Sequence, residues 1–124
     1  MSEATPEKVT IIATHGPDDA DRAILPFMMA NAALTMDMEA VIILQGPAVF
    51  LGTKACHQHV VAGGLPPLKE QMEIFVNNGG KLLVCTPCTE FRGMTEEMLV
   101  DGAELIAGAR VIIESTSASA VLSY

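Results

Sequence analysis

The sequence predicts an α/β fold: a parallel sheet with helices covering both of its faces. Three observations support this. The runs VTIIAT, EAVIILQ and KLLV are apolar without alternation, as strands buried on both faces are. Segments whose apolar residues recur at helical spacing separate them. Gly, Pro and Asn cluster where one pattern gives way to the next.

The first strand, residues 9–14, ends at His15-Gly16-Pro17. Asp18 and Asp19 then provide an N-cap and first-turn carboxylates for a helix reaching to about Met36. Its apolar positions include Ile24, Phe27, Met28 and Ala32, and Pro26 inside it predicts a kink or a restart. The second strand covers residues 39–45 and closes at Gly46-Pro47. A short helix over residues 48–57 follows, then the loop AGGLPP, whose prolines lead into a helix over residues 68–77. Leu68, Met72, Phe75 and Val76 share one face of that helix, and Asn78-Gly79-Gly80 stops it. The third strand, residues 81–84, delivers Cys85 at its end. Thr95, with Glu96 and Glu97 behind it, reads as the cap of a last helix up to about Gly108. RVIIE, residues 110–114, reads as the fourth strand, and the tail after it holds at most a short extra strand or turn. With no repeat, linker or low-complexity block, residues 1–124 are expected to form one α/β domain.

Composition narrows the partners. Half of the residues are hydrophobic, Trp is absent and aromatics are few, so the core must be aliphatic. A positive mean hydropathy in so small a chain predicts that some apolar surface is buried between copies, as a homo-oligomer. The net charge of −8 and only seven scattered Lys and Arg residues argue against nucleic acid. The N-terminus MSEATPEKVT is polar and acidic, unlike a signal peptide, and no apolar run is long enough to span a bilayer. Three cysteines, an odd number, fit a reducing, cytoplasmic setting better than a disulfide framework.

In an open parallel sheet, ligands bind beyond the carboxyl ends of the strands. Those ends carry Thr14-His15-Gly16, Gln45-Gly46, Cys85-Thr86-Pro87-Cys88 and Glu114-Ser115, and only the third group holds a good nucleophile. No G-x-G-x-x-G follows a strand, and GPAVFLGTK has neither the spacing nor the order of a P-loop. The shortage of Trp and Tyr leaves little to stack on a flavin. A thioredoxin-type C-x-P-C opens a helix, whereas the helix signals here begin only at Thr95. Cys56-His57-Gln58-His59 lacks the matching pair that would complete a zinc site, so no metal is expected. Cys85 is the focal residue. A nearby Arg92 would favour its thiolate and Glu90 would oppose it, while the plainer reading makes Cys85 a small residue at a strand end.

The opening strand running into THGPDD, the segment ANAALTMDMEAVIILQG, the GLPPLKE turn-helix and GGKLLVCTPC together resemble the DsrE/DsrF-like family over nearly the whole chain. The resemblance implies a three-layer α/β/α domain with a five-stranded parallel sheet, assembling as trimers or hexamers. It further implies that Cys85 accepts sulfur as a persulfide from a donor protein and passes it to an acceptor protein, with no cofactor. Cys88 is a second candidate catalytic thiol with no assured counterpart. Backbone N–H groups of the Cys85-Thr86 turn, the Thr86 hydroxyl and His15 are candidate donors to the sulfur anion. Thr14, Gly16 and Gln45 complete the expected binding rim. The competing readings are a non-catalytic assembly protein and a thiol redox protein in which Cys85 and Cys88 cycle.

Overall fold

A computed structural model describes residues 7–124, and the polar lead 1–6, which the sequence reads as unlike a signal peptide, lies outside the described residues. Five strands form one parallel sheet: β1 (Lys8–Ala13), β2 (Glu39–Leu44), β3 (Lys81–Cys85), β4 (Ala103–Ile106) and β5 (Ala120–Ser123), in the order β4-β3-β2-β1-β5. Between them run α1 (Ala20–Thr35), α2 (Leu68–Asn77), α3 (Thr86–Phe91) and α4 (Gly108–Thr116). Among the described residues no helix is long and apolar enough to cross a membrane.

The connections from β1 to β4 step steadily toward one edge. The last one returns across the whole sheet to place β5 beside β1. Residues of alternate strand positions therefore face two different surroundings. Ile11, Ile42, Leu44, Leu82 and Val84 join Ile24, Phe27, Leu68 and Phe75 of α1 and α2 in the main core. Phe27 and Phe75 meet edge to face with ring centroids 5.8 Å apart. On the opposite face, Val41, Ile43, Leu83 and Ile106 pack under Val111 of α4.

That second face is fastened by polar groups. Lys8 Nζ lies 2.8 Å from Glu114 Oε1, and Arg110 Nε lies 2.7 Å from Glu114 Oε2. The Thr10 hydroxyl donates to the Glu114 carbonyl at 2.8 Å. Burial would raise the Glu114 carboxyl, but the bonds from Lys8 and Arg110 outweigh it and hold the group below its ordinary value.

Strands β1, β2 and β3 and helices α1 and α2 lie where the sequence predicts them. Four details differ. The cap of α1 is Asp19, whose carboxylate accepts from the Arg22 N–H. Pro26 lies buried inside an uninterrupted α1. The segment after β2 forms two 3₁₀ turns, Gly46–Gly52 and His57–His59, in place of one short α-helix. The largest correction concerns the last third. The helix expected over 95–108 is a 3₁₀ turn, Glu96–Met98, followed by β4, and the strand expected at 110–114 is α4. Four-residue β4 is too short to show a period, and Glu96-Glu97 after Thr95 imitates a helix start. In α4, Val111 and Glu114 are one turn apart and face the sheet, so packing overrides the strand preference of Val-Ile-Ile.

Candidate thiol site at the sheet's carboxyl edge

Cys85 ends β3, pairing in register with Ile106 of β4. These two strands leave the sheet in opposite directions. The chain from β3 enters α3, whose base joins the main core, whereas the chain from β4 enters α4 on the other face. Adjacent strands diverging this way open a crevice at their carboxyl ends. Cys85 stands at that topological switch point.

Helix α3 starts directly after Cys85, its N-cap residue, with Pro87, fixed in φ, as its second residue and Cys88 in the first turn. The structure therefore does place C-x-P-C at a helix start, contrary to the expectation that helix signals begin at Thr95. Both thiols are free and half-buried. They neighbour each other, with the Cys88 thiol and backbone N–H both close enough to influence the Cys85 sulfur.

The Cys88 sulfur has a second neighbour that sequence reasoning missed. Gly46 N–H donates to Cys88 Sγ at 3.2 Å, from a residue 42 positions earlier. Gly46 adopts φ +56°, a left-handed conformation that glycine enters without strain. The Gly-Pro pair closing the second strand was the available signal for such a turn. Gly16 packs against the same loop: a Cβ there would lie 2.4 Å from the Pro47 carbonyl oxygen. The β1 and β2 loops are thereby locked together beside α3.

Burial, first, and the Cys88 thiol, second, push the Cys85 thiol above its ordinary value. The Cys88 N–H and the Arg92 guanidinium pull the other way without overcoming them. Cys85 is therefore less ionised at neutral pH than an exposed cysteine.

Of the other sequence-predicted residues, Thr86 lies beside the thiols, and its carbonyl accepts from the Thr89 hydroxyl at 2.8 Å. The remaining four bond elsewhere, two of them between strands and two within the loop after β1. The Thr14 hydroxyl donates to the Tyr124 carbonyl at 2.9 Å. His15 Nδ1 lies 3.1 Å from Asp18 Oδ2, and the Gly16 N–H donates to Asp18 Oδ1 at 2.7 Å. These two contacts, the His15 one first, lower the Asp18 carboxyl. The Gln45 N–H donates to the Ala13 carbonyl, continuing the β1–β2 ladder. Among the described residues no hydrogen bond joins His15 to either thiol.

Cys56 is separate from this pair. It packs against the main core, its N–H donates to the Thr53 hydroxyl, and burial raises its thiol. His57 Nδ1 lies 3.0 Å from the Thr53 carbonyl. Among the described residues no three His, Cys, Asp or Glu side chains converge as metal ligands would.

Comparison with known proteins adds a family. The profile of the DsrE/DsrF-like family matches residues 7–124. The uncharacterized protein MK0008 of Methanopyrus kandleri is 32% identical over 104 residues, covering 82% of this chain and 83% of that protein. MJ0760 of Methanocaldococcus jannaschii, also uncharacterized, is 33% identical over 111 residues; the match covers 90% of this chain but only 40% of that longer protein. Among solved structures, the ychN protein of E. coli superposes with a TM-score of 0.80 at 22% identity, covering 95% of this chain and 99% of its own. The protein of unknown function MTH1491 from Methanobacterium thermoautotrophicum superposes at 0.74 with 13% identity, over 95% and 99% of the two chains. These two likenesses concern the fold.

Proposed function

Because the chain belongs to the DsrE/DsrF-like family, we propose that it is a sulfur carrier in which the Cys85 thiolate accepts sulfur as a persulfide. The observation that carries this reading is the pair of free, neighbouring thiols at the β3–β4 switch point. The Cys85 thiolate attacks the outer sulfur of a donor persulfide R-S-SH. A new S–S bond forms, the donor's own S–S bond breaks, and the donor leaves as RS⁻. The product is Cys85-S-SH, which an acceptor thiolate relieves of its outer sulfur by the same exchange. Neither step needs a cofactor. The raised Cys85 thiol makes loss of its proton the first requirement, so a docking partner that brings positive charge to this edge would speed loading.

A redox reading is favoured by one observation, the position of Cys85 as cap and Cys88 in the first turn of α3. In that reading Cys88 attacks the inner sulfur of Cys85-S-SH. Sulfide leaves carrying both electrons of the broken bond, and a Cys85–Cys88 disulfide remains. Intact mass after incubation with a persulfide donor separates the two readings. A gain of about 32 Da removed by reductant supports carriage, and a loss of ~2 Da supports the disulfide. Cys85→Ser should abolish loading, since a hydroxyl at neutral pH is no nucleophile, and Cys88→Ser should lengthen the persulfide's life. Loading of Cys85→Ser as fast as the parent would end the proposal.

The setting in this reading is reducing and cytoplasmic, with donor and acceptor proteins as partners and a homo-oligomer, a trimer or hexamer, as the working form. Supporting the oligomer, Ile112 and Ile113 of α4 are 62% and 59% exposed, and Val121 and Leu122 of the edge strand β5 are exposed as well.

A further inference from the structure

Next to the thiol turn, but lined by other residues, lies a hollow of about 520 Å³ between the Gly46–Gly52 turn and the segment that follows α3. Its walls are apolar, with Phe50, Cys56, Met94 and Met98, and two cations, Arg92 and Lys54, also line it. The volume falls within the range that encloses small organic ligands.

The aromatic residues are distributed unevenly. The chain has four Phe: two form the edge-to-face pair of the main core, and the other two flank Arg92, Phe50 from the wall of the hollow and Phe91 from outside it. Phe91 is 86% exposed and Phe50 39% exposed, so both rings leave hydrocarbon in water. The Arg92 guanidinium carbon lies 6.0 Å from the Phe50 ring centre and 5.5 Å from that of Phe91, and its NH1 donates to the Cys88 carbonyl at 3.1 Å. The rings and the carbonyl thus hold the guanidinium in one place.

Arg92 also differs from the other two arginines. Arg22 is paired with Asp19 at 2.8 Å, and Arg110 with Glu104 and Glu114 at 3.0 and 2.7 Å. Among the described residues no carboxylate lies within ion-pair distance of Arg92, although the chain carries fifteen acidic residues against seven basic ones.. A positioned guanidinium without an anion, above an apolar hollow, is what an amphipathic anion requires, and the fork of a guanidinium suits a carboxylate.

We propose that this hollow binds a small amphipathic carboxylate, its hydrocarbon chain against Phe50, Met94 and Met98 and its carboxylate on Arg92, with Lys54 adding charge at the same site. The hollow shares Arg92 with the thiol site, but no thiol of the Cys85–Cys88 pair lines it, and the test below reads binding alone.

The experiment titrates sodium octanoate into the isotope-labelled protein and follows backbone amide NMR shifts, with 1-octanol and octylammonium as controls. Octanoate is expected to shift the amides of Phe50, Lys54, Gly93 and Met94 saturably, with 1-octanol about tenfold weaker and octylammonium weaker still. Arg92→Gln should weaken octanoate about tenfold while leaving 1-octanol unchanged, and Met98→Glu, which sets a competing carboxylate in the hollow, should weaken it too. No saturable shift by ~10 mM octanoate would overturn the proposal. So would equal binding of all three probes, which would mark a merely greasy patch, or shifts confined to another region. Light scattering run alongside adds one further overturning result: a dimer that Arg92→Gln dissociates and octanoate does not, which would make a second copy the occupant.

Discussion

The two faces of the sheet are held by different physics. On the face under α1 and α2, some twenty buried residues form a continuous aliphatic core centred on Phe27 and Phe75. On the other, among the described residues, the buried apolar cluster is Val41, Ile43, Leu83 and Ile106 beneath a single helix, and the Lys8–Glu114–Arg110 cluster fastens that helix in place. Burial stabilises roughly in proportion to apolar area, so the first face carries most of the folding free energy. The second face spends its apolar residues outward, at Ile112 and Ile113, where only another surface could use them. The thiols belong to the rim of the first face: Cys85, Cys88 and Cys56 all pack against the main core, which is why burial raises Cys85 and Cys56.

The largest expected effect is on the apolar face. Phe75→Ala should cost about 4 kcal/mol in a denaturant titration, whereas Val111→Ala under α4 should cost about 1 kcal/mol. Equal costs would show that the asymmetry is false. Next comes the ionic clamp. Glu114→Gln should cost about 2 kcal/mol at neutral pH, because it removes the carboxylate that two cations share, leaving Lys8 without its ion pair and Arg110 with Glu104 alone. The Glu114 carboxyl lies below its ordinary value in the folded protein, so its contribution is present above the unfolded-state carboxylate pKa. It disappears as pH falls through the depressed folded value. Parent and variant should therefore converge in acid, and a gap that persists there would mean the side chain acts by packing.

A smaller effect is expected at the thiol rim. The rate at which iodoacetamide labels Cys85 should keep rising past pH ~9, because burial holds the thiol protonated there. Arg92→Gln should slow labelling about twofold at fixed pH, and Cys56→Ser should leave it unchanged. A labelling plateau near neutral pH would show that the rim is wetter than the packing implies. Smallest of all, Ile112→Glu and Ile113→Glu should each change monomer stability by less than ~0.5 kcal/mol. Their effect should appear instead in light scattering, as a loss of assembled mass. Full assembly of the double variant would remove α4 from the proposed interface.

Where the sequence could be read correctly, and where not, follows the same division. Residues 9–13, 39–44 and 81–84 were legible because they are buried on both faces and bounded by glycine or proline. The last third was not. Ala103–Ile106 is a short strand at the edge of the sheet, half-exposed along most of its length, so little hydrophobic pattern marks it. Val111-Ile112-Ile113 looks like a buried strand, yet two of the three side chains face outward from a helix.

What the sequence determined by itself is the parallel α/β architecture, the placement of Cys85 at a strand end and the family, because long apolar runs and turn residues are local signals. The tertiary structure alone decided that Arg110–Glu114 is helical, that C-x-P-C opens α3, and that the Gly46 N–H meets the Cys88 sulfur across 42 residues. The same holds for the setting of Arg92 between Phe50 and Phe91. The contacts with Gly46 and Phe50 join residues distant in sequence, and the helical state of 110–114 depends on the sheet beneath it. Local propensity cannot encode a partner that only the folded chain brings near.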